Sequence, residues 1–89
     1  MILDDEKEQE EFLRELEQEL KAEGVLFDFS GHLVAVFAMK YFRTRELEKV
    51  IKIADRHKLS VYFITGPTRG KSAKGIGVYL YFEEKHEPT

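Results

Sequence analysis

The chain reads as an α+β protein: a two-layer α/β sandwich of four antiparallel strands in the order 1-2-4-3, with two helices on one face. Three observations predict this. Apolar residues recur at helical spacing in two segments and form short runs in four others. The six segments follow one another as α-β-β-α-β-β. The second and fourth strands are apolar on both sides, as central strands are, while the first and third are shorter or more polar, as edges are.

The first helix spans residues 4–23, with Phe12, Leu13, Leu16 and Leu20 on one stripe. Asp4 is placed to cap its start and Gly24 to follow its end. Residues 25–39 then read as a hairpin, VLFDF and HLVAVFAM joined by Ser30-Gly31. A two-residue turn pairs Phe29 with His32, Phe27 with Val34 and Val25 with Val36, all on one face. Leu26, Leu33, Ala35, Phe37 and Met39 fall on the other. Thr44 is placed to cap the second helix, 45–57, whose expected buried stripe is Leu47, Val50, Ile51 and Ala54. Arg43, Arg45, Lys49, Lys52, Arg56 and Lys58 make this segment basic. The last hairpin, 60–82, joins SVYFIT (60–65) to IGVYLYF (76–82) through a long basic loop, GPTRGKSAKG (66–75). A right-handed crossover makes strands two and three parallel to each other, so strand four fits between them.

The 89 residues support a single domain, 1–89, and 43% hydrophobic with 35% charged residues argues for a folded chain. With no cysteine, disulfides, thiolate zinc sites and cysteine nucleophiles are excluded. No apolar run approaches membrane-spanning length, and the acidic start does not resemble a signal peptide, so the expected location is intracellular, in the cytoplasm, with no membrane partner. The net charge of −3 hides a segregation: residues 1–23 carry ten acids and three bases, and the rest carries eleven bases and seven acids. The plain expectation is that the acidic helix pairs with a basic neighbour.

Residues 74–81 read KGIGVYLY. Lys74, Gly75, Gly77 and Tyr81 match the pattern K/R-G-F/Y-G/A-F/Y-V-x-F/Y, and Ile76, Val78 and Tyr79 depart from it. A basic stretch, TGPTRGKSAKG, precedes the octamer. VFAM with Phe37 supplies a short hydrophobic strand, and TRELEKVIK from Thr44 a following helix. Over Leu33 to Glu84 the chain resembles an RNA recognition motif. That family ends with a further helix and strand. Here a helix and a strand, residues 4–29, come first instead, so the chain resembles a circularly permuted form of the ferredoxin-like sandwich.

The resemblance implies binding of RNA or another single strand. It assigns Phe37 to stacking on the open sheet face, and Tyr62, Tyr79 and Tyr81 to the same role if they face outward. If Ile76, Val78 and Leu80 share the open face with Phe37, Tyr79 and Tyr81 point at the helices, but the sequence alone does not fix the register of strand four. A one-residue slip of strand four turns them out. From the residues themselves, Arg69, Lys71 and Lys74 could hold phosphates, or simply form a solvated loop tip.

The face expected to be open is an apolar patch of Leu33, Ala35, Phe37, Met39, Ile76, Val78 and Leu80. A patch that large implies a cover, and a symmetric homodimer answers as well as unstacked bases do. TGPTRGKS (65–72) imitates a P-loop, but Thr65 stands where its first Gly belongs and a strand follows instead of a helix. His32, His57 and His86 lack metal-ligand spacing. No catalytic constellation, metal or cofactor is readable, and the chain is not expected to be an enzyme.

Overall fold

Helix α1 (Glu6–Leu20) begins at Asp5, whose side chain accepts from the Lys7 N–H at 3.0 Å. The computed structural model describes residues 5–67 and 75–85; Asp4, expected as the cap, lies outside them. The helix ends at Lys21 with φ of 53°, not at Gly24, because Leu20 is its last core residue and the strand already begins at Gly24.

Strands β1 (Gly24–Phe29) and β2 (His32–Met39) form the expected hairpin, with Phe29 opposite His32, Phe27 opposite Val34 and Val25 opposite Val36. Ser30 and Gly31 both take positive φ, 51° and 81°, the conformation of a two-residue turn that matches strand twist. Asp28 accepts from the Gly31 N–H at 3.3 Å and steadies the turn.

Helix α2 (Thr44–Arg56) is capped by Glu46 rather than by Thr44, which is already helical. The Glu46 carboxylate accepts from the Arg43 backbone N–H at 2.7 Å and from its guanidinium at 3.1 and 3.2 Å. These bonds, the side-chain ones first, hold the Glu46 pKa down from 4.5 to about 2. A depressed carboxylate pKa stabilises the fold above the unfolded pKa, and that stability is lost as pH falls through the folded one. Denaturation midpoints should therefore fall between about pH 5 and pH 2, and Glu46→Gln should flatten that slope in a pH series of urea melts.

The buried line of α2 is Glu46, Val50, Ile53 and Ala54. Ile51, expected inside, is exposed, and Leu47 is half-buried. The inward line includes an acid, so a reading that follows apolar residues alone rotates the helix away from its true face.

Strands β3 (Leu59–Pro67) and β4 (Ile76–Glu84) complete a sheet in the order β1-β2-β4-β3, every neighbour antiparallel. This is the expected topology. The register of β4, which the sequence left open, sets Val36 opposite Tyr79 and Ala35 opposite Leu80.

The helices, however, cover the opposite face from the one expected. Leu33, Ala35, Phe37, Met39, Val78 and Leu80 are buried in one cluster with Phe12, Leu16, Leu20, Val50, Ile53 and Phe82, and Ile76 packs against it. Phe12 meets Phe82 edge to face at 4.8 Å. The reason is chemical. The buried part of that face holds aliphatic groups and phenylalanine, with Asp28, Thr65 and Glu84 left at its exposed margins, whereas the other carries three phenols, an imidazole and a carboxylate, which helices would bury without partners at a cost of several kcal/mol.

Gly24 sits beneath the Phe37 ring: a Cβ there would lie 2.5 Å from Phe37 Cε1. Gly24→Ala should therefore destabilise by about 1–3 kcal/mol through overpacking, measurable by urea denaturation.

Candidate nucleic-acid interface

The uncovered face of the sheet is built in rows across the four strands. One row is Val25, Val36, Tyr79 and Ile64; the next is Phe27, Val34, Tyr81 and Tyr62. Each residue follows from period-two alternation, since every second side chain of a strand points to the same face. Tyr62 is 50% exposed, Ile64 58% and Phe29 60%, while Val34, at the centre, is only 2% exposed. Val34 is thus buried without belonging to the core cluster, in the row between Phe27 and Tyr81. Tyr79 leans along its strand over Gly77, where a Cβ would meet Tyr79 Cε1 at 3.3 Å.

One end of the face is polar. Tyr62 donates its hydroxyl to Glu83, and His32 Nε2 lies 3.4 Å from the second Glu83 oxygen. The bond to Glu83, with burial second, pushes the Tyr62 phenol pKa up. The other end is low: Ala38, Gly77 and Gly66 lie side by side with no side chain larger than a methyl.

Of the residues singled out by sequence, Tyr62, Tyr79 and Tyr81 come together on this face, without the register slip that outward tyrosines had seemed to need. Phe37 does not join them. It is 1% exposed beneath the helices and cannot stack on a ligand. The other expected interface residues, Leu33, Ala35, Met39, Ile76, Val78 and Leu80, are likewise core or packed on core. Ile76 and Val78, at the third and fifth octamer positions where the pattern carries aromatics, face inward. Arg69, Lys71 and Lys74 lie outside the described residues. The exposed Val25, Phe27, Phe29 and Ile64 were not singled out. The signal that could have found them was the polar atoms of their face-mates, since a face holding Tyr79, Tyr81 and His32 is the one that stays wet.

The acidic and basic helices pair on the far side of the sheet. Arg56 bonds Glu15 at 3.2 Å, His57 Nε2 lies 3.5 Å from the same carboxylate, and Lys49 donates to the Glu19 carbonyl at 3.3 Å. The acids of α1 are therefore held behind the sheet, away from its aromatic face. Among the described residues no group of three or more His, Asp or Glu could hold a metal, and no helix is long and apolar enough to cross a membrane. No known protein family, curated protein or solved structure matches the chain.

Proposed function

We propose that this chain is a small binding domain for single-stranded nucleic acid, with RNA preferred, that takes bases on its open sheet face. The observation that carries the reading is the pair of rows with Phe27, Tyr62, Tyr79 and Tyr81 on one uncovered, twisted surface. Flat rings on adjacent strands offer successive stacking platforms, which an unpaired strand can use and a duplex cannot. Segregation of the acids behind the sheet leaves this face less negative than the net charge of −3 implies. Arg69, Lys71 and Lys74, in the sequence between β3 and β4, supply phosphate contacts in this reading. No catalytic step belongs to it.

Fluorescence anisotropy with single-stranded RNA, single-stranded DNA and duplex across a salt series tests it. The expected result is micromolar or tighter binding to single strands, with a salt slope of about two to four phosphates. No binding at low salt would overturn it.

A homodimer through the same face is the second reading, favoured by the exposed aliphatic Val25 and Ile64 on the two edge strands, which offer bases little stacking. Lys71→Glu with Lys74→Glu should abolish nucleic-acid binding and leave such a dimer intact in sedimentation.

A further inference from the structure

We infer that a basic cleft where α1, β2 and α2 meet holds the phosphodiester backbone of the bound strand as it leaves the open face; this rests on the single-strand reading above. The cleft, of about 400 Å³, lies between the end of α1, the end of β2 and the first turns of α2. Lys21, Lys40, Arg43, Arg45 and Lys49 line it, against two acids, Glu19 and Glu46.

The Glu46 carboxylate is already engaged by the backbone and guanidinium of Arg43. Glu19 offers Lys49 its backbone carbonyl. Lys21, Lys40, Arg45 and Lys49 form no ion pair with a carboxylate among the described residues. Four such cations around one opening make a local positive field in a chain whose total is negative. They come from three separate segments, a spread that suits a run of phosphates better than a single one. Lysine in particular meets phosphate as a flexible point charge.

Ala38 connects the two surfaces. It stands opposite Gly77 on the open face and also lines the cleft. Among the described residues, the row of Ala38, Gly77 and Gly66 carries no side chain larger than a methyl, and Lys40 follows Ala38 two residues on. Tyr41, with the Arg43 guanidinium 3.9 Å from its ring centroid, is half-exposed beside it.

The test uses the full chain carrying Lys40→Gln, Arg45→Gln and Lys49→Gln, none of which lies in the core. Arg43 is left in place because it holds the helix cap. Binding of a uridine tetranucleotide and a uridine dodecanucleotide is measured across a salt series. The dodecanucleotide should bind at least about tenfold more weakly than to the wild type, with a log–log salt slope shallower by about two, since each single-strand phosphate contact contributes about 0.7. The tetranucleotide, which the open face alone accommodates, should change by no more than about threefold. If the triple variant does not fold by circular dichroism, Lys40→Gln alone should shift the slope by about 0.7. An unchanged dodecanucleotide slope, or equal weakening of both lengths, would overturn the cleft and leave the open face standing. Failure of the wild type to bind either length would overturn both.

Discussion

Phe37→Ala should destabilise the fold by about 3–5 kcal/mol, near the top of the range for a buried aromatic. The ring lies on the central strand β2, opposite Val78 on one side and Gly24 on the other, beneath the helices. Gly24 has no side chain to collapse into the space left behind, so the cavity would stay open. A domain of this length holds roughly 4–13 kcal/mol in all, so the variant should be largely unfolded at moderate urea. Urea melts followed by circular dichroism measure the loss. The close approach of Gly24 adds a sharper check. Gly24→Ala clashes with the ring in the wild type, yet should be nearly neutral or mildly stabilising in a Phe37→Leu background. The resulting double-mutant cycle should show coupling of about 1 kcal/mol or more. Additive effects would mean that the ring does not lie over Gly24.

The same residue shows where sequence reading succeeds and where it stops. The β1–β2 register was legible from Val25 onward, because alternation fixes which residues share a face and a two-residue turn leaves one register. The β1-β2-β4-β3 order followed from which strands are apolar on both sides. The sheet was therefore divided correctly into two sets of side chains, but the set containing Phe37 was assigned to the wrong layer. Alternation is symmetric in this respect: it says that Phe37 and Tyr79 face opposite ways, not which of them meets the helices. Polar atoms break the symmetry. His32, Tyr62, Tyr79, Tyr81 and Glu83 all fall in one set, and water can satisfy them only if that set stays uncovered. Hydropathy also hid Glu46, which takes a core-facing position on α2 because its carboxylate closes the helix start. The tyrosines were candidates only on condition that they face outward, and the residue named without that condition, Phe37, lies in the core.

Charge follows a similar logic. Ten acids in the first 23 residues suggest a protein that repels polyanions. Folding sets Glu15 against both Arg56 and His57, and the Glu19 carbonyl against Lys49. The exposed ion pairs contribute little to stability, about 0–1 kcal/mol each. Their more useful consequence is spatial, because acids held against α2 stay behind the sheet.

Tyr62→Ala combined with Tyr79→Ala should weaken single-strand binding by at least about thirtyfold while leaving the fold in place. Stacking of one base on one ring is worth about 1–3 kcal/mol, or roughly 5- to 150-fold in affinity per site. The two residues lie on neighbouring strands in neighbouring rows, Tyr62 opposite Tyr81 and Tyr79 opposite Ile64, so they serve different bases. Both are exposed and outside the core cluster, so thermal melts should move far less than for Phe37→Ala. Tyr79→Phe keeps the ring over Gly77 and should keep most of the affinity, which separates stacking from any role of the hydroxyl. Because aromatic contacts release few counterions, the double alanine variant should lose affinity at every salt concentration with an unchanged salt slope, opposite to the expectation for the lysine and arginine variants. Binding within about twofold of wild type in the double variant would remove the open face from the interface.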